Sequence, residues 1–321
     1  MKNKPIIVLT GDMRSVFLEI FFKTLKRKKY KSPLLLICSK KDLEFQMKMF
    51  GFQRKIREVD FNHVFKTQID NKSINILNID KKNYYINNYN SKTNNYYINK
   101  SFKIAFDLIK KNYTNKLING PVNKKKFLRK KFLGITEYLA SKFNKKDVGM
   151  LIYNKNLSVC PLTTHLPIKK VVKKITKKLI QDRIKMIFNF YKKNFDFEPR
   201  IGVTGLNPHC ESIDKINEDT SIVKKAIQNC KKFKISVEGP FPADTIFLKN
   251  NRGNYDVILG MYHDQVLTPI KTLYEYNAIN LTMGLPFLRV SPDHGPNEKM
   301  YGQNKSNSKS LTMALDFLDK K

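Results

Sequence analysis

Short apolar runs that stop at polar turns and resume as amphipathic helices recur through most of this chain, and few folds accommodate that alternation. Residues 5–9 read as a strand ending in Gly11-Asp12, residues 16–25 carry the apolar spacing of a helix, and residues 34–38 form a second strand. Strands alternating with helices predict a largely parallel sheet with helices on both faces. The expected fold class is α/β.

Polar residues gather most densely on the apolar runs of 255–295. Val257-Ile258-Leu259 reads as a short buried strand, and His263-Asp264-Gln265 follow its end. Thr268-Pro269 resembles an N-cap and first-turn proline, which sets Lys271 in the opening turn of a helix. Asn280 begins another apolar run; Arg289 and His294 close a third. Ligands of open α/β sheets collect at the carboxyl ends of strands, so this stretch is expected to supply half of a metal and phosphate site.

Three of the five histidines share one structural position: each follows an apolar strand by a few residues. His165 follows 157–162, His209 follows 201–203 through Gly205-Leu206-Asn207-Pro208, and His263 follows 257–259. In a parallel sheet those ends face one side, so the imidazoles can converge, within one subunit or across a dimer, on a divalent ion. Asp264 and Asp244 are candidates to orient a ligand or accept a proton. His63 is assigned nothing.

The formal net charge of +34 raises nucleic acid as a partner, but the lysines are spread over the whole chain, as solvated helix faces would be. The charge should still favour anionic substrates. Cys38, Cys160, Cys210 and Cys230 show no paired spacing and read as reduced, mostly buried thiols, Cys210 included despite its neighbour His209. No signal-peptide pattern or membrane-length apolar run is present, so a cytoplasmic protein is expected.

Residues 81–100, rich in Asn and Tyr, read as a surface loop with some strand character, followed by a helix over 100–111. Residues 119–124 and 134–139 each read as a strand end or turn running into a helix, with Thr136 an N-cap. Either helix start can hold an anion.

In order, these segments resemble the 4-hydroxythreonine-4-phosphate dehydrogenase family of pyridoxine phosphate biosynthesis. The resemblance is carried by Asn119-Gly120-Pro121-Val122-Asn123-Lys124, residues 134–140, 162–167, 205–209 and 239–247, Met261-Tyr262-His263-Asp264-Gln265, and residues 284–287. It covers nearly the whole chain. It implies two α/β/α lobes of the isocitrate and isopropylmalate dehydrogenase type, with the active site in the cleft between them at a homodimer interface. The expected lobes are 1–130 with 285–321, and 131–284. It further implies His165, His209 and His263 as ligands, drawn from both subunits, of one Zn, Mg, Mn or Co ion, and Lys271, Asn280, Arg289 and Thr136 as substrate-binding residues. Lys271, Asp244 and Asp264 are the catalytic candidates. The implied reaction is NAD- or NADP-linked oxidation of 4-phosphooxy-L-threonine, with loss of CO2 to give 3-amino-2-oxopropyl phosphate.

The chain departs from the family pattern in three places. The glycine-rich loop near the N-terminus keeps only Gly11, Asp12 and Glu19, with Phe17 and Leu18 in place of glycine and proline, which makes close backbone approach by a ligand harder. Ile135 replaces a histidine that can donate to phosphate. Residues 293–307 resemble the cofactor loop of isocitrate dehydrogenases, which makes His294, Gly295, Lys299 and Asn307 the expected cofactor-binding residues. Two other readings compete: a paralogue acting on threonate or erythronate 4-phosphate, and a basic nucleic-acid-binding protein.

Overall fold

The structure is a computed structural model that describes residues 3–79, 90–128, 131–132, 134–211, 217–292 and 295–321. In chain order it runs β1 (Ile6–Leu9), α1 (Phe17–Arg27), β2 (Leu34–Cys38), α2 (Lys40–Met49), β3 (Ile56–Glu58), β4 (Ile74–Asn78), α3 (Ser91–Lys110), β5 (Lys116–Asn119), α4 (Lys124–Leu128) and α5 (Ile135–Lys142). Then come β6 (Gly149–Tyr153), β7 (Ser158–Thr163), α6 (Ile168–Val171), α7 (Lys177–Phe195), β8 (Ile201–Thr204), α8 (Lys225–Lys231), β9 (Val237–Phe241), α9 (Lys249–Arg252), β10 (Val257–Tyr262), α10 (His263–Tyr274), β11 (Ile279–Met283), β12 (Leu288–Pro292) and α11 (Lys309–Asp319). Two compact units result, Met1–Ile135 with Pro286–Lys321, and Thr136–Leu285.

The first unit carries parallel strands in the order β3-β4-β2-β1-β5-β12. Every residue of β1 and β2 is buried, so both faces of that sheet are covered and the strands are continuously apolar. Phe17 and Leu18 lie in the first turn of α1 as core side chains, and Phe22 of the same helix stacks on Phe52 with centroids 4.6 Å apart. The unusual residues of the N-terminal loop are thus there to be buried.

The second unit orders its strands β11-β6-β7-β10-β8-β9. Among the described residues of this unit only the pairings of β6 are antiparallel; β7, β10, β8 and β9 run parallel as neighbours. Val266 and Ile270 of α10, one helical turn apart, join Ile152, Leu157, Val159 and Ile258 in its core.

Three sequence expectations give way here. The Asn/Tyr-rich segment is helical from Ser91: Asn90 accepts from the Lys92 and Thr93 amides, Thr93 returns a bond to Asn90, and Asn94, Tyr97, Ile98, Ser101 and Phe102 make a buried stripe. Asn and Tyr are indifferent helix formers, and burial overrides that weakness. Residues 81–89 of this segment lie outside the described residues. Lys271 is not in an opening turn, because α10 begins at His263 and Thr268-Pro269 fall inside it. Thr136 is not an N-cap, since α5 already starts at Ile135.

Candidate active site

Four parallel neighbours, β7, β10, β8 and β9, end along one edge of the second unit, with Thr163 paired to Tyr262, Leu259 to Val203 and Thr204 to Phe241. Just past those ends stand His165, His263, His209 and Asp244, in that spatial order. The His165 and His263 rings lie 6.0 Å apart, and both residues line a cavity of about 290 Å3 with Thr163, Thr164, Tyr262 and Asp264. His165, His209 and Cys210 hold left-handed backbone, at φ 23°, 55° and 61°. Non-glycine residues adopt that conformation at a cost, and such residues gather at functional sites.

Long-range hydrogen bonds fix these loops. Thr163 Oγ1 donates to the Met261 carbonyl at 2.8 Å, tying the exit of β7 to that of β10. The fully buried Asp219 carboxylate accepts from the Leu206 amide at 2.5 Å and from the Asn207 amide and side chain, each at 3.0 Å, bracing the loop that delivers His209. Gln265 bonds to Thr204, Gly205 and Met261, each at 2.7 Å. Sequence reasoning noted Gln265 without a role and missed Asp219 and Thr163. Nothing local marks them, because apart from the Met261 amide, four residues before Gln265, their partners lie 12 to 98 residues away.

His263 is the first residue of α10, and its Nδ1 meets Asp264 Oδ1 at 2.6 Å. A carboxylate on Nδ1 fixes the ring and leaves Nε2 as the nitrogen open to other partners. Asp264 is therefore placed to orient the His263 ring. Lys271 lies seven residues beyond Asp264 on the same helix face; it is half-buried, and burial holds its ammonium below the ordinary lysine value. Asn280, on β11, donates to Met150 Sδ at 3.4 Å, while its buried Oδ1 has no partner. Thr136 is half-buried in the first turn of α5, and Asp244 is exposed after β9. Burial first, and then the Asp219 charge, push the Cys210 thiol up to about 11, so it stays protonated at neutral pH and is a poor ligand. Among the described residues, no three His, Cys, Asp or Glu side chains of one chain are grouped to hold a metal.

The other expected site residues belong to the first unit. Arg289, only 4% exposed on β12, donates from Nε to Asn119 Oδ1 at 2.6 Å. Asp12 is buried, which raises its carboxyl, and it accepts from the Asn94 side chain and the Asn123 amide. That bond uses an amide of the 119–124 turn that the sequence offered to an anionic ligand. Glu19 accepts from the Ser306 amide and pairs with Lys23, whose ammonium also donates to the carbonyls of Asn304 and Ser306. Pro296 accepts from the Val16 amide at 3.1 Å, and Gly295 is exposed. Lys299 sits in an exposed 3-10 turn, and Asn307 Oδ1 accepts from the Lys309 amide as α11 begins. His294 lies outside the described residues.

The sequence model of the family described as pyridoxal phosphate biosynthetic protein PdxA matches residues 29–318. The chain belongs to this family. A 4-hydroxythreonine-4-phosphate dehydrogenase of Sulfurihydrogenibium sp. is 32% identical over 97% of this chain and 96% of its own. The crystal structure of 4-hydroxythreonine-4-phosphate dehydrogenase from Klebsiella pneumoniae superposes at a TM-score of 0.83 with 26% identity, covering 98% of each chain. A β-decarboxylating dehydrogenase from Thermococcus kodakarensis shares the fold alone, at a TM-score of 0.52 and 12% identity over 98% of this chain and 83% of that one. The PdxA family is one of dehydrogenases, whose hydride chemistry is carried by a nicotinamide. No helix among the described residues is long and apolar enough to cross a membrane.

Proposed function

We propose that this chain oxidises the secondary alcohol of 4-phosphooxy-L-threonine with NAD or NADP, in the cytoplasm, as a homodimer whose two copies share each metal site. The observation that carries this reading is the row of His165, His263 and His209 at the exits of adjacent parallel strands, in a chain of the PdxA family. Three imidazoles form a donor set that suits Zn2+, Co2+ or a similar ion and leaves positions open for substrate oxygen. Bound there, such an ion supplies a Lewis acid for negative charge developing on oxygen.

The chain's own residues supply the rest. Asp264 holds the His263 ring by Nδ1. Lys271, with an amine easier to deprotonate than a free lysine, takes the alcohol proton as hydride leaves the same carbon for the nicotinamide. The product, 2-amino-3-oxo-4-phosphooxybutanoate, is a β-keto acid. Its carboxylate leaves as CO2, the bonding pair moves into the ketone, and protonation at carbon gives 3-amino-2-oxopropyl phosphate. Thr136 and Asn280 contact the substrate, and the unpartnered Asn280 Oδ1 is suited to an ammonium or hydroxyl donor. Asp244 is a further candidate proton carrier. Gly295, Lys299 and Asn307 are assigned to the nucleotide.

A specific residue favours a second reading. Ile135 is buried and offers no donor where the family pattern has histidine, which points to threonate or erythronate 4-phosphate. The test is reduced-nicotinamide formation from each substrate by chelated protein, with and without Zn2+, Co2+, Mn2+ or Mg2+. Metal-dependent turnover of 4-phosphooxy-L-threonine is expected, and His263→Ala should abolish both metal binding and turnover. Full activity in that variant would remove the metal site from the reading.

A further inference from the structure

We infer that Gln265 is a positioning residue for the three-histidine site, keeping the strand exit that carries His209 in register with the one that carries His263. The inference rests on the metal reading above. Paired residues of β10 and β8 extend only as far as Leu259 and Val203. Beyond them the Gln265 side chain spans the two exits: Nε2 donates to the Gly205 carbonyl, and Oε1 accepts from Thr204 Oγ1 and from the Met261 amide, each at 2.7 Å. The amide orientation follows from its partners, since a carbonyl only accepts and a backbone N–H only donates. A single side chain thus replaces the ladder where the strands part.

The local chain makes this reach possible. β10 runs directly into α10, and a Cβ on Gly260 would overlap Val266, so only glycine lets the first helical turn fold back against its own strand. Gln265, third in that helix, then points across to β8. From Gly205 the path to His209 is short: Leu206 and Asn207 are fastened to Asp219, and Pro208 precedes the histidine. On the opposite side the Thr163 hydroxyl holds the exit of β7 to Met261. Met261 is therefore bonded to both neighbouring exits, and Gln265 supplies the bond on the His209 side. Metal ligands must be held to within a fraction of an ångström, and losing the groups that hold them typically weakens metal binding about 10–100-fold.

The test uses the full chain stripped of metal and titrated with Co2+, followed by visible absorption, together with the melting temperature of the metal-free protein. Gln265→Glu keeps an oxygen for Thr204 and Met261 but sets a carboxylate oxygen against the Gly205 carbonyl. Thr204→Val removes a single hydroxyl from the bridge. Co2+ binding is expected to weaken about 10–100-fold in Gln265→Glu, and less but in the same direction in Thr204→Val. The metal-free melting temperature of Thr204→Val should stay near that of the wild type. Wild-type Co2+ affinity in both variants, whatever their melting temperatures, overturns the inference while leaving the metal reading intact. A wild-type chain that binds no Co2+ overturns both. If Gln265→Glu does not fold, the affinity of Thr204→Val decides.

Discussion

Lys271 and Asp219 show how burial turns an ordinary side chain into a specialised one. The folded-state pKa of Lys271 is depressed, so burial costs stability at low pH and that cost fades as pH rises through the lowered value. The neutral amine is therefore available at lower pH than in a free lysine. As a proton acceptor it predicts a kcat that climbs with pH through that value, a limb that Lys271→Met removes. A profile in which only KM moves, with Lys271→Arg behaving as wild type, would make Lys271 an anion anchor instead. Asp219 is a plainer case: its carboxylate holds two backbone amides and a side-chain amide. Truncation to alanine leaves buried donors unmet and should lower the unfolding free energy by about 2–4 kcal/mol in urea titrations. A loss under about 1 kcal/mol would mean that the His209 loop is held by other contacts.

At the scale of elements, turns are set by what lies across from them. Gly11 takes φ 78°, and a Cβ there would overlap the Pro121 carbonyl, where the exits of β1 and β5 press together. Gly11→Ala is expected to destabilise the chain by about 2 kcal/mol or more, read as a lower melting temperature. An unchanged melting temperature would show that the two turns can move apart. Gly11, Asp12 and Glu19 are what this chain keeps of the glycine-rich loop in the family pattern. Here Asp12 bonds the turn that begins α4, and Glu19 holds the Ser306 amide and the Lys23 ammonium that binds residues 304 and 306, so these three residues serve the fold. The start of α10 was misplaced for a related reason. Thr268-Pro269 is a good local start signal, but Val266 already belongs to the core of the second unit, and that burial begins the helix before the proline.

At the scale of the whole molecule, 61 basic against 27 acidic residues surround a site proposed for a phosphorylated, carboxylated substrate. Steering by that field predicts that kcat/KM falls severalfold from ~0.01 M to ~0.3 M salt while kcat holds. A salt-independent kcat/KM would confine the charge to solubility. The proposed sharing of the metal between copies predicts a sedimenting mass near twice 37.6 kDa. A monomer that binds metal and turns over would refute the sharing.

What the sequence determined by itself is the α/β class and the placement of three histidines just after strands, because side-chain periods of 2 and 3.6 are local properties of a chain. It could not order those strands. Only the tertiary structure sets β7, β10, β8 and β9 side by side, starts α10 at His263, starts α3 at Ser91 inside the Asn/Tyr-rich segment and gives Gln265 and Asp219 their partners. Those features depend on burial and on hydrogen bonds between residues far apart in the chain, and no local pattern encodes such bonds until the strands are in place.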